Sequence, residues 1–114
     1  LISDSMRACG MPDGDYELGG MPVVKRGRDA RQRDGTIAGS VTNLYDCMVH
    51  AIRMGIPPED AVRAAAVNPP RSLGLGERLG QIRPGFYGAA LIVDPAWWLI
   101  RVIAGQPSLT KGGV

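Results

Sequence analysis

The chain opens on Leu1-Ile2-Ser3-Asp4, an apolar run of strand length that ends in an acid and passes at once into Ser5-Met6-Arg7. No polar lead-in precedes it, so residues 1–4 read as a buried strand and the chain as part of something longer. A buried strand ending in an acid narrows the choice of folds. In a (β/α)8 barrel the working residues lie at the C-terminal ends of strands, and Asp4 stands at such a place. The plainer role for Asp4 is to cap a turn or the following helix. On position alone that plainer role is favoured.

The rest of the chain is punctuated by 16 Gly and 9 Pro within 114 residues. With 45% hydrophobic residues, that punctuation indicates many short elements rather than disorder. Residues 5–20 read as a loop containing Pro12-Asp13-Gly14. Residues 21–34 read as a hairpin: out from Met21 to Lys25, a turn at Arg26-Gly27, and back from Ala30 to Arg33. Asp34-Gly35 turns again, and Thr36 to Ser40 is a loop of small residues. A helix is predicted from Thr42 to Met54, with Leu44, Met48, Ala51 and Ile52 at helical spacing and Gly55 as its stop. A second helix opens at Pro57-Pro58-Glu59-Asp60, where Pro and acids suit the first turn. Pro69 and Pro70 should end it near Asn68. Gly80 to Gly85 reads as a strand and turn. Ala89–Val93 and Trp98–Ala104 read as strands, and the tail from Gly105 is expected to fray.

Composition excludes several function classes. The formal net charge is +2, from 13 Lys+Arg against 11 Asp+Glu, too balanced to imply nucleic acid or an anionic membrane as partner. Cys9 and Cys47 are too few for a zinc framework or a disulfide-stapled fold. Free thiols in a reducing cytoplasm are the simplest reading. The apolar stretch from Ala89 to Ala104 is interrupted by Asp94, Pro95 and Arg101, so it is not a membrane span.

Few constellations suggest chemistry on their own. His50 lies on the polar face of its helix with Asp46 and Arg53, where a solvated role is favoured over a ligand. His and Cys together cannot build a metal site, which needs three or four matched ligands. Five basic residues fall between Lys25 and Arg33. They could contact phosphate or a polyanion. An exposed hairpin kept soluble by charge is the favoured reading. Gly35 to Ser40 fits neither a P-loop nor a dinucleotide fingerprint, although small residues let backbone approach a ligand. Trp97 and Trp98 should divide between inward and outward faces of a strand.

The motifs are more specific in combination. Leu1-Ile2-Ser3-Asp4-Ser5-Met6-Arg7-Ala8, Gly10-Met11-Pro12-Asp13-Gly14, Asp34-Gly35-Thr36-Ile37-Ala38-Gly39-Ser40 and Asn68-Pro69-Pro70-Arg71-Ser72-Leu73-Gly74 follow in order. The sequence resembles the N-acetylglucosamine-6-phosphate deacetylase family of the amidohydrolase superfamily, from residue 1 to about 85. The resemblance implies an α/β fold. Residues 1–76 would carry the last strand of a metal-dependent-hydrolase (β/α)8 barrel, a hairpin insertion and C-terminal helices. Residues 77–114 would carry C-terminal strands of a small β-sandwich. It implies hydrolysis of N-acetylglucosamine 6-phosphate to glucosamine 6-phosphate and acetate. Asp4 would be the catalytic aspartate, and Ile37, Ala38 and Gly39 would contact the amino sugar. A divalent metal ion, zinc or similar, would serve the full-length parent, which could form a homodimer. A bound ion activates water and polarises the carbonyl, and a nearby carboxylate passes the water's proton to the leaving nitrogen.

Two features depart from the family pattern. The Glu and His residues that bind metal lie upstream of the resembled segment, so no metal ligand is expected in this chain, and the isolated chain is expected to be inactive. A Pro-Gly-Lys-x-Ala-Asp stretch expected near residue 84 is replaced here, since Phe86-Tyr87-Gly88-Ala89 follows Pro84-Gly85. Two alternatives stand beside this reading. One is another amidohydrolase-superfamily hydrolase, such as a cyclic-amide hydrolase or a deaminase. The other is a non-catalytic relic or binding domain.

Overall fold

Turn chemistry sets the architecture of the first half. In the computed structural model, which describes residues 1–105, Gly19 and Gly20 take φ of 58° and 84°. A two-residue hairpin turn needs that left-handed backbone, and a side chain would oppose it. The turn joins β1 (Gly14–Leu18) to β2 (Met21–Arg26) and sets Leu18 opposite Met21. A second tight turn leads into β3 (Asp29–Gln32) and sets Arg26 opposite Asp29. The three strands form an antiparallel sheet in the order β1-β2-β3. The expected hairpin over 21–34 is therefore present. Residues 5–20 are not all loop, because β1 falls among them. Its alternation of exposed Asp15 and Glu17 with half-buried Tyr16 and Leu18 is a strand pattern, masked in the sequence by flanking glycines.

One face of this sheet carries the core. Val23 and Ala30 are buried there together with Met6, Ala8 and Val41, and Tyr16, Leu18 and Ala38 pack against them. Burying a Val or Met side chain contributes about 1.5–3 kcal/mol. Lys25 lies on the same face and is 7% exposed.

Leu1–Asp4 is not the buried strand that its apolar residues suggest. Leu1 and Ile2 are 42% and 78% exposed. The β pairing beside it is one parallel bridge between Ser5 and Ser40. Strands persist by ladder partners that satisfy their backbone groups, and the described residues offer no such ladder to Leu1–Asp4.

Helix α1 (Leu44–Arg53) follows the periodic pattern, burying Met48 and Val49. Asn43 caps it by accepting from the Asp46 N–H at 2.8 Å, satisfying one of the orphan donors at a helix start. His50 and Arg53 fall in the last turn, and His50 is exposed.

The chain divides into the units Leu1–Pro57 and Pro58–Val114. In the second unit, α2 (Pro58–Val62) has Glu59 and Asp60 in its first turn. It passes through a π-helical turn, Arg63–Val67, into α3 (Asn68–Ser72). Helical backbone therefore continues through Pro69 and Pro70 instead of ending near Asn68. The Asn68 N–H closes the wide turn by donating to the Arg63 carbonyl. The two prolines then fall at the first positions of α3, where a missing N–H costs no helical bond.

Gly80 to Gly85 forms no strand among the described residues. Both glycines sit at φ 86°, which breaks an extended run. β4 (Ala90–Val93) and β5 (Leu99–Ile103) make an antiparallel hairpin with a register shift at Ile92/Val93. Asp94 builds its turn, with Oδ1 accepting from the Ala96 N–H at 2.9 Å and the Trp98 N–H at 2.7 Å. Both tryptophans precede β5 rather than alternating along it. Trp97 is half-buried and Trp98 is 70% exposed. The expectation that the tail frays concerns residues 106–114, which lie outside the described ones.

Candidate active site

One backbone bond and one serine hydroxyl fasten two segments of the first unit together. The Met6 N–H donates to the Ser40 carbonyl at 2.9 Å. Ser5 Oγ donates to the Thr42 carbonyl at 2.6 Å, and the Thr42 N–H donates to Ser40 Oγ at 3.2 Å. The Ser5–Ser40 bridge is parallel, and Asp4 and Gly39 each lie one residue before it. A Cβ on Gly39 would stand 3.6 Å from Met6 Sδ and from Leu18 Cδ2, so the backbone there runs close against the core.

The loop ahead of Gly39 is pinned by β3 and its turn. Asp34 Oδ1 accepts from the Thr36 N–H at 3.0 Å. The Thr36 N–H, then the Thr36 hydroxyl, hold the Asp34 carboxyl below the usual carboxylate range. Arg31 and Ile37 pair across an antiparallel bridge. The Gln32 N–H donates to the Thr36 carbonyl at 2.8 Å and the Ala38 N–H to the Ala30 carbonyl at 2.9 Å. These bonds flank the Arg31–Ile37 pair, which makes it the non-hydrogen-bonded kind. The N–H and C=O of Ile37 therefore face away from β3, and its side chain is 67% exposed. The Ala38 amide is already committed to the sheet. Of the three loop residues, Ile37 offers the most to a ligand.

Asp4 is exposed and holds φ 50°, a left-handed conformation that Asp tolerates better than most side chains. Backbone held in such a region concentrates at functional positions. No hydrogen bond or ion pair engages its carboxylate among the described residues. His50 is exposed in the last turn of α1. Cys9 and Cys47 are free, half-buried thiols.

The implied divalent ion finds no ligand set here. Among the described residues, no group of three or more His, Cys, Asp or Glu side chains could hold a metal ion. Sequence reasoning also missed the Ser5 hydroxyl, whose bond to the Thr42 carbonyl joins the two site segments. No spacing rule links residues 37 positions apart. Asp34-Gly35 was legible as a turn, and that turn is what presents the loop.

The model of the amidohydrolase family matches residues 27–112, more than half of the chain. An N-acetylgalactosamine-6-phosphate deacetylase of Escherichia coli O157:H7 is 35% identical, covering 93% of this chain. An N-acetylglucosamine-6-phosphate deacetylase of Bacillus subtilis is 38% identical over 82% of it. The chain spans 29% and 24% of the length of these two relatives. Among solved structures, an N-acetyl-D-glucosamine-6-phosphate deacetylase variant from Mycobacterium smegmatis, in complex with N-acetyl-D-glucosamine-6-phosphate, matches with a TM-score of 0.73. It is 33% identical, and the match covers 88% of this chain and 27% of that one. The enzyme from Pasteurella multocida matches with a TM-score of 0.79 at 19% identity, over 90% of this chain and 27% of that one.

Proposed function

Because the chain belongs to the amidohydrolase family, we propose that it supplies the acid and one substrate loop of an enzyme that deacetylates N-acetylglucosamine 6-phosphate. The observation that supports this is the parallel Ser5–Ser40 bridge, which follows directly on Asp4 in one segment and on the Ile37–Gly39 loop in the other. In this reading water attacks the acetamide carbonyl carbon, a C–O bond forms and the C–N bond breaks. The Asp4 carboxylate takes the water's proton and delivers it to the departing nitrogen, leaving acetate and the amine of glucosamine 6-phosphate. Ile37 would hold the amino sugar through its outward-facing backbone groups.

The finer architecture belongs to the same proposal. Residues 1–76 would carry the last barrel strand, the hairpin and the helices beyond it, and residues 77–114 strands of a small β-sandwich. Leu1–Asp4 would gain its ladder from neighbouring barrel strands. The divalent ion that the family implies would be held by residues other than those described. Free thiols at Cys9 and Cys47 suit the cytoplasm.

The test measures acetate and free amine released from N-acetylglucosamine 6-phosphate by a polypeptide that contains this segment together with metal ligands. Relatives also carry the galactosamine name, so both epimers are assayed. Asp4→Asn should lower kcat by about 10²–10⁴-fold. Chain 1–114 with added zinc should release nothing. Undiminished turnover by Asp4→Asn would remove Asp4 from the chemistry, and turnover by the isolated chain would overturn the need for outside ligands.

A further inference from the structure

The sheet has a second face that the reaction does not use. The pairs Val24–Arg31 and Arg26–Asp29 put these four side chains opposite the core face that carries Val23, Lys25 and Ala30. An open groove of ≈ 400 Å³ lies there, and Val24, Arg26, Asp29, Arg31, Arg33 and Gly35 are among its lining residues. Three guanidinium groups against one carboxylate give the groove a net charge of +2, from 3 − 1. Of the five basic residues in the run, Lys25 is turned to the core and tied to Asp13. Arg28 leaves the groove and pairs with Asp46 at 3.0 Å. The other three converge.

Their states differ in a useful way. Arg31 is held at two points: its Nε donates to Asp29 Oδ2 at 2.6 Å and its Nη1 to the Gly35 carbonyl at 2.9 Å. A guanidinium fixed in this way loses less freedom when it binds an anion. Arg26 and Arg33 form no salt bridge among the described residues, so their forks are open for bidentate bonding. The lining contains no aromatic side chain, so there is nothing to stack a base on. The volume suits a small molecule rather than a polymer.

We propose that this groove is a binding site for a phosphate monoester. A dianion with three equivalent acceptor oxygens matches a +2 groove with three guanidinium groups better than a carboxylate does. The source of the ester is either the amino-sugar phosphate itself or a separate phosphorylated metabolite. The groove ends at Gly35, two residues before Ile37, so either could lie beside the substrate loop. The site rests on the arginine geometry and stands whether or not the deacetylase reading holds.

The test titrates chain 1–114 with inorganic phosphate, glucosamine 6-phosphate and unphosphorylated glucosamine, read by ligand-observed NMR. The two phosphates should saturate and glucosamine should not. Arg26→Gln and Arg33→Gln should each weaken phosphate binding at least about tenfold, the loss of one good charge-assisted contact. Arg28→Gln, the same charge change outside the groove, should leave it within about twofold. Circular dichroism checks that all three variants fold. Tighter binding of glucosamine 6-phosphate than of inorganic phosphate identifies the amino-sugar ester as the occupant; equal binding identifies a site for any phosphate monoester. Absence of saturation, or equal weakening by Arg28→Gln, overturns the proposal.

Discussion

Lys25 reaches along the core face of β2 to Asp13, its Nζ donating to Asp13 Oδ1 at 2.9 Å while its own side chain is 8% exposed. The Gly27 N–H donates to the same oxygen at 2.8 Å. The Lys25 ammonium first, and the Gly27 amide second, hold the Asp13 carboxyl below its ordinary value of 3.8. A carboxyl with a depressed folded pKa stabilises the fold above its unfolded pKa. That stability is lost as pH falls through the folded value. Thermal melts between pH 6 and pH 2 should therefore be flat down to about pH 4 and then fall. Asp13→Asn should flatten part of that fall. Asp34, shifted in the same direction by Thr36, should keep the remainder.

The same pair predicts an asymmetry between its two halves. Asp13→Ala leaves an ammonium at a buried position with no counter-charge, whereas Lys25→Met leaves an exposed carboxylate in water. Breaking an ion pair from the exposed side strands the buried charge. Urea titrations should show Asp13→Ala as the more destabilising single change. Adding Lys25→Met to Asp13→Ala should then recover stability. A double variant weaker than Asp13→Ala alone would mean that Lys25 contributes through its alkyl stem rather than its charge.

Asn43 both caps α1 and holds Asp46, its Nδ2 donating to Asp46 Oδ2 at 3.3 Å. Asp46 also receives Arg28 from the hairpin tip. Asn43→Ala should cost about 1 kcal/mol, the usual loss of a side-chain N-cap, measured as a shift in the urea midpoint. Asn43→Ser should recover most of it, since its hydroxyl accepts the same N–H without setting a second carboxylate beside Asp46.

Local rules recovered the elements whose cause is local. The Arg26-Gly27 turn signal gave the hairpin over 21–34, and Thr42 to Met54 gave a helix because its apolar spacing and its Gly55 stop agree. The misses share a physical origin. Leu1–Asp4 reads as a strand from apolarity, yet a strand needs a ladder, and that depends on which residues are its neighbours. Pro69-Pro70 reads as a helix end, yet a π turn before it shifts the hydrogen-bond frame so that neither missing N–H is needed. At the site, Asp4 and Ile37–Gly39 entered through family resemblance. The bonds between their segments, from the Ser5 hydroxyl to the Thr42 carbonyl and from the Met6 N–H to the Ser40 carbonyl, carry no sequence signature.

Gly80 is the position in the second unit most sensitive to a side chain. It holds φ 86°, and a Cβ there would meet the Ala66 carbonyl oxygen at 2.3 Å. That oxygen belongs to the π-helical backbone and cannot swing away as a side chain could. Gly80→Ala combines a steric clash with a left-handed backbone, so a loss of about 1–3 kcal/mol is expected. Gly74→Ala is the control, since Gly74 has positive φ but open space around its Cβ. It should lose less, and equal losses would show that backbone strain alone sets the effect.

Gly39 offers the reverse case, a glycine where a methyl group fits. Its φ is not positive, and a Cβ would lie 3.6–3.7 Å from Met6 and Leu18 side-chain atoms, an ordinary packing distance. Gly39→Ala should therefore change stability by no more than about 0.5 kcal/mol. Yet Gly39 lies one residue from the Ser5–Ser40 bridge and in the loop assigned to the amino sugar, so a methyl packed on Met6 and Leu18 would nudge that loop's backbone. In the deacetylase that contains this segment, Gly39→Ala should raise KM and lower kcat/KM severalfold with an unchanged melting temperature. Asp4→Asn should instead lower kcat with little change in KM, because a proton-transfer group acts in the transition state rather than in ground-state binding. An unchanged KM in Gly39→Ala would remove Gly39 from the substrate contact while leaving the role of Asp4 intact.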